Sequence, residues 1–196
     1  VGYSGLLDLG FVAFYGIGAY AYAYLSSDFT GIHLPTWATL ILITLVAASF
    51  GLLLGLPSLR LIGDYLAIVT LGFGLIFVQL MTSLTRVSLP GREKPVDLTG
   101  GPNGIVNLDP LSFLGFTANT VTDYYYILLV LFAVMTLVIF HLHKSRVGRA
   151  WSALREDDLA AGAMGMPTRR LKIQAFAAGA AIAGLSGAIF AALQGS

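Results

Sequence analysis

The densest run of ionisable side chains in the chain is Arg155-Glu-Asp-Asp158. Grouped carboxylates do acid–base work when a nucleophile and its base stand beside them, and no such pair accompanies this turn. His141 and His143 are two positions apart, which sends them to different faces of a helix and argues against a shared metal. His33 stands alone in a loop. Cysteine is absent, which removes disulfides, thiolate metal sites and cysteine nucleophiles together. The chain contains no G-x-x-x-x-G-K-[ST], H-E-x-x-H or G-x-S-x-G string. No catalytic residue, no metal site and no cofactor bound by this chain is therefore expected. The charged turn reads as a contact surface.

The elements that carry this turn are set by composition. Of 196 residues, 57% are hydrophobic and 11% are charged, against about 25% charged in a soluble domain. A soluble fold cannot cover its surface with so few charges, whereas lipid accepts apolar side chains. The net charge of +1 gives no reason to expect nucleic acid as a partner. Five apolar segments stand out, at about 9–25, 37–56, 65–84, 124–142 and 173–193. A helix needs roughly 20 apolar residues to cross a bilayer core, and a backbone in hydrocarbon must bond to itself. The expected fold is all-α, a polytopic membrane helical bundle with about five transmembrane or re-entrant segments. The first segment is short and carries Gly10, Gly16 and Gly18, so it reads either as a span or as a broken, re-entrant piece. Asp8 is placed to cap it. The chain begins at Val1 and stops at Gln194-Gly-Ser196, next to apolar runs, and is expected to be a fragment of a longer membrane protein.

Orientation follows from the basic residues. The connections 57–64 and 143–172 hold Arg60, Lys144, Arg146, Arg149, Arg155, Arg169, Arg170 and Lys172. The opposite connections, 26–36 and the outer loop 85–123, hold only Arg86, Arg92 and Lys94. Eight against three puts loop 143–172 in the cytoplasm by the positive-inside rule. Small residues crowd the fifth segment, from Ala175 to Ala188, and the second contains Gly51-Leu-Leu-Leu-Gly55. Such residues let helix backbones approach closely in lipid.

Two loops carry recognisable local signals. Leu98-Thr-Gly-Gly-Pro-Asn-Gly104 combines strong turn dipeptides, and Thr99, Gly100, Gly101, Asn103 and Gly104 mark either a shaped turn or a surface near a path. On the cytoplasmic side, 149–163 is rich in helix formers and is read as one short helix, with Gly165 as its stop and Pro167 beyond. Trp151, Leu154, Leu159 and Ala161 supply apolar contact area around the charged turn. Lipid-surface helices are usually basic. An acidic middle turn favours a protein groove as the partner.

The string Val147-Gly-Arg-Ala-Trp-Ser-Ala-Leu-Arg-Glu-Asp-Asp-Leu-Ala-Ala161, followed by Gly165, resembles the cytoplasmic coupling loop of high-affinity branched-chain amino acid ABC importers. Gly5-Leu-Leu-Asp-Leu-Gly10 with Phe14-Tyr-Gly-Ile-Gly-Ala-Tyr20, the stretch from Leu59 to Gly74, and Thr99-Gly-Gly-Pro-Asn-Gly-Ile105 agree in order. Together they resemble the LivM-type inner-membrane permease subunit across nearly the whole chain. The resemblance implies that residues 1–196 are a fragment of one transmembrane permease domain. It implies a second, LivH-like permease subunit, two cytoplasmic ATPase subunits that use ATP and Mg, and a periplasmic amino-acid-binding protein. It makes 149–163 the ATPase-coupling helix, with Arg149, Trp151, Leu154, Arg155, Glu156, Asp157, Asp158, Ala160, Ala161 and Gly165 as its residues. Gly16, Gly18, Gly63, Gly72 and Gly74 become candidate hinge or translocation-path positions, with helix packing the alternative role for each.

The sequence has Leu75 where many relatives carry an acidic residue after Gly-Phe-Gly, so no intramembrane carboxylate role carries over. Urea and short-amide importers have very similar permeases, and the quoted motifs do not separate the substrates. A stand-alone secondary transporter or channel is the alternative of a different class. Such proteins usually need intramembrane ionisable groups, and segments two to five contain no Asp, Glu, Lys or Arg.

Overall fold

Seven helices and two small hairpins make up the computed structural model, which describes residues 5, 8–58, 64–85, 98–101, 104–113, 116–118 and 120–195. The helices are α1 (Phe11–Leu25), α2 (Thr36–Ser58), α3 (Asp64–Ser83), α4 (Val121–Lys144), α5 (Arg146–Glu156), α6 (Asp158–Ala163) and α7 (Thr168–Gly195). Four of them, α2, α3, α4 and α7, are long and apolar enough to cross a membrane. The architecture is the expected all-α polytopic bundle.

The second, fourth and fifth apolar runs underestimate their helices, whereas α3 lies within a residue of its run at each end and α1 starts two residues late. α4 begins at Val121, three residues ahead of its apolar run, because Thr120 and Asp123 form a capping box. α7 begins at Thr168 and carries Arg169, Arg170 and Lys172 in its first turns. α2 continues through Pro57 to Ser58. The first segment has 15 helical residues, which span about 22 Å, short of a hydrocarbon core of about 30 Å. Its lead-in, Asp8 to Gly10, is not helical.

The core is a triad of α1, α2 and α7. α1 runs parallel to α7: Phe14 packs with Ala180 and Ala183, Gly18 meets Gly184, and Ala23 lies with Ala191. α2 runs antiparallel to both, with Gly51 against Ala180 and Ala47 against Gly184. Small residues produce this closeness. A methyl group built on Gly18 would fall on the Gly184 backbone, and one built on Gly187 would fall on the Tyr15 carbonyl. The helices meet backbone to backbone, as expected where packing rather than water drives association.

α3 packs on α1 through one stripe, with Leu66, Ala67 and Thr70 buried, while Tyr65, Ile68, Leu75 and Ile76 stay exposed. α4 touches the bundle at its ends and exposes most of its length. An apolar cavity of about 410 Å³ opens between α4, α2 and α7, lined by Leu40, Leu111, Ile127, Leu131 and Ile189 among others.

At the end of the bundle where α1 stops and α4 starts, β1 (Ser26–Ser27) pairs with β2 (Ile32–His33), and β3 (Ser112–Phe113) pairs with β4 (Phe116–Thr117). Ser27 bridges to Leu108, and the Asp109 amide donates to the Ser26 carbonyl at 2.9 Å. The buried Tyr124 hydroxyl donates to the Ala192 carbonyl at 3.1 Å, which ties the start of α4 to the end of α7.

Candidate functional site: the coupling loop and its seat on the bundle

The turn from α4 into α5 is made by one residue. The Ser145 hydroxyl donates to the Leu142 carbonyl at 2.6 Å, and its oxygen accepts from the Gly148 amide at 3.2 Å. The same serine therefore closes α4 and caps α5. Gly148 is required there, since a methyl group would run into the Leu142 and His143 carbonyls.

α5 is strongly amphipathic, and its apolar stripe of Gly148, Trp151 and Leu154 is buried. Trp151 and Leu154 pack with Leu171 of α7, and Ala175, Ala178 and Met166 complete the contact. The Trp151 indole Nε1–H donates to the Leu171 carbonyl at 3.0 Å. A large apolar body and a satisfied polar tip thus clamp the loop to the first turns of α7. Arg149 leans back and donates to the Lys144 carbonyl at 2.7 Å. Arg155 and Glu156 end α5 on its exposed side.

The single helix expected over 149–163 is two helices. The break falls at Asp157, whose backbone is extended (φ −156°, ψ 114°) and whose carboxylate accepts from the Leu159 and Ala160 amides at 2.8 and 3.0 Å. Aspartate competes with the helix by bonding its own downstream amides, which makes it a better N-cap than an interior residue. The break resets the faces. Leu159, read from the sequence as contact area beside Trp151, points outward and is 86% exposed. Ala161 turns inward and is buried, Ala160 is exposed, and Asp158 pairs with Lys172 of α7. After α6, the Met166 amide donates to the Ala161 carbonyl and the Gly165 amide to the Gly162 carbonyl. This is a Schellman motif, with Gly165 at φ +81° in the position read as the stop. Met164 is 82% exposed beside it. The loop therefore presents a small knob of Leu159, Ala160 and Met164, edged by Arg155, Glu156 and Asp157.

The candidate path glycines separate into different roles. Gly18 sits at the α1–α7 crossing, and Gly16 faces the Phe77 ring of α3. Gly74 is buried and faces Gly10, whereas a methyl on Gly72 would meet nothing within 4 Å. Gly63 and Asn103 lie outside the described residues. At the hairpin end of the bundle, the Thr99 hydroxyl donates to the Met81 carbonyl at 2.6 Å, and the Leu98 amide donates to the Leu84 carbonyl at 3.2 Å. Gly100, Gly101 and Gly104 all have φ between 63° and 69°. This loop is a folded turn seated on the end of α3, with the Tyr24 hydroxyl of α1 donating to the Leu98 carbonyl.

Sequence reading missed one cluster on that side. His33 Nδ1 lies 2.6 Å from Asp109 Oδ2, and its Nε2 lies 3.5 Å from Asp28 Oδ1. The hydrogen bond that His33 donates to Asp109 and the charge of both carboxylates hold the His33 pKa above its ordinary value. The cluster joins residues 76 apart in the chain, so no local signal could have found it.

The whole chain, residues 1–196, matches the family described as the permease component of branched-chain amino acid transport systems. It is 41% identical to the high-affinity branched-chain amino acid transport system permease protein LivM of Escherichia coli K12, over 218 aligned positions. It is 40% identical to the protein of the same name from Salmonella typhimurium LT2, again over 218 aligned positions. Each alignment takes in all of this chain and 48% of the relative, so the chain spans about half the length of the curated relatives it matches. No solved structure matches it. With four helices long and apolar enough to cross a membrane and a family match from end to end, the chain belongs to the branched-chain amino acid transport permease family and is part of a multi-pass membrane protein.

Proposed function

We propose that this chain forms part of the translocating permease of an ATP-driven importer for branched-chain amino acids in a bacterial-type inner membrane. In this reading α5 and α6 are the docking element for a cytoplasmic ATPase subunit. A second permease subunit and lipid cover the apolar outer faces of α3 and α4. A periplasmic amino-acid-binding protein delivers the cargo to the end that carries the hairpins. ATP and Mg belong to the ATPase subunits.

The observation that carries this reading is the two-sided build of the α5–α6 unit. Trp151 and Leu154 fix it to α7, while Leu159 and Met164 stand out in solvent where an apolar groove can take them. A push on such a knob moves α7 rather than deforming a loose loop. α7 is packed against α1 and α2, so the displacement reaches the core triad directly. The names of the relatives support branched-chain amino acids as the cargo.

The test is Leu159→Asp in the assembled transporter. Membrane level and span integrity are expected to stay normal, because the side chain touches little of its own fold. ATPase co-purification and amino acid uptake are expected to fall together. Normal co-purification and uptake would remove the docking assignment.

A further inference from the structure

The loop touches the bundle at a second place, away from the Trp151 clamp. Gly5 lies against Arg155 near the end of α5: a methyl group built on Gly5 would sit 3.1 Å from Arg155 Cγ and 3.3 Å from its Cα. Gly5 has φ +68°, a left-handed conformation that glycine adopts without strain. A few residues on, the same stretch is fastened to α3. The Leu9 amide donates to Thr70 Oγ1 at 3.0 Å, and the Gly10 amide donates to Asp8 Oδ1 at 2.8 Å. Gly10 is so near α3 that a methyl group there would come within 2.7 Å of the Thr70 carbonyl oxygen. Thr70 is itself fixed, being buried and donating its hydroxyl to the Ala67 carbonyl at 3.1 Å.

These contacts share one short piece of chain. Gly5 and Asp8 are three steps apart, and three residues reach at most about 10–11 Å. While both contacts hold, the Arg155 end and the Thr70 end stay within that reach of each other. The tie matters because α3 packs on α1 and has no comparable contact with α5 or α7 among the described residues. The Trp151 clamp speaks to α7, and nothing in it reaches α3.

We infer that Gly5 and Asp8–Gly10 form a positioning tie, linking displacement of α5 at Arg155 to α3 at Thr70. The inference rests on the docking role proposed for α5 and α6. It adds a second route, by which α3 moves in step with the core triad when the ATPases close. Thr70 and Gly5 are positioning residues; neither needs to touch cargo. If the tie is cut, the ATPases still dock and cycle, but α3 no longer follows.

The readout is ATP hydrolysed per amino acid imported, measured on the complete importer reconstituted in proteoliposomes with its ATPase subunits and binding protein. Thr70→Val keeps the volume and removes the acceptor for the Leu9 amide. It is expected to raise the ratio about fivefold, the factor that accompanies loss of one hydrogen bond, with the ATPases still co-purifying. Thr70→Ser keeps the hydroxyl and is expected to match the wild type. Gly5→Ala strains the other end of the tie and is expected to raise the ratio too, which serves if Thr70→Val assembles poorly. An unchanged ratio in both Thr70→Val and Gly5→Ala would overturn the tie, as would failure of Thr70→Ser alongside Thr70→Val. Leu159→Asp in the same assay separates the two ideas. If it releases the ATPases while the tie variants behave normally, docking stands and the tie falls. If Leu159→Asp stays bound and coupled, docking itself fails.

Discussion

Trp151 does for the loop what no charged neighbour does: it fills the contact with α7 and satisfies its own N–H there. Trp151→Ala is expected to cost about 3 kcal/mol of local stability, as for deletion of a buried aromatic. Hydrogen exchange should show it as lost protection of the amides in α5, with α1 and α2 unaffected. His33 offers a prediction on pH. Its folded pKa is raised, so its contribution to the β1–β2 hairpin is fully present below the unfolded value near 6.5 and is lost as pH rises through the folded value. Protection of residues 26–33 should therefore fall on moving from pH 6 to pH 8, and His33→Gln should remove that dependence. The sequence offered Trp151, Leu154, Leu159 and Ala161 alike as contact area for a partner, but Trp151, Leu154 and Ala161 are buried within the chain's own fold. Of the four, Leu159 alone faces outward. Its outward direction depends on the break at Asp157, which no apolar spacing encodes.

The elements were legible to different degrees for physical reasons. Uncharged runs located α2, α3, α4 and α7, because lipid demands length and lack of charge together. The ends of α4 and α7 were hidden, because a capping box and a basic first turn extend them past their apolar runs. Thr120 and Asp123 were the readable signal for α4. The stretch 149–163 was read as one helix, and it is helical but divided in two. Asp157 sits among good helix formers, and its preference for capping outweighs them. Asp157→Ala removes two side-chain hydrogen bonds and a cap, and is expected to cost about 1 kcal/mol. Because alanine favours the helix, the variant should merge α5 and α6 and turn Leu159 away from its present direction. Spin-label distances from α6 to α7 check this. At the crossing of α1 and α7, Gly18→Val places two methyls where the Gly184 backbone lies. A shift of packed backbones costs about 3 kcal/mol, the upper part of the overpacking range, seen as a fall of Tm in detergent. Gly72→Val, facing open space, should leave Tm unchanged.

At the scale of the whole molecule, all five long elements agree on one polarity. The starts of α1, α3 and α7 and the ends of α2 and α4 gather at the end that carries α5 and α6, while the hairpins gather at the other. The positive-inside count expected the same grouping, since loops 57–64 and 143–172 share a side. What the sequence did not encode is how α3 and α4 stand away from the triad, since apolar residues surround both helices and mark no inner face. The central claim is that the Leu159 knob faces the cytoplasm on the ATPase side. The chain has no cysteine, so Leu159→Cys gives a single reporter. A membrane-impermeant thiol reagent should leave it unlabelled in intact spheroplasts and label it in inside-out vesicles stripped of ATPase subunits, with protection returning when those subunits are added back. Labelling from outside intact spheroplasts would contradict the orientation and the coupling role built on it.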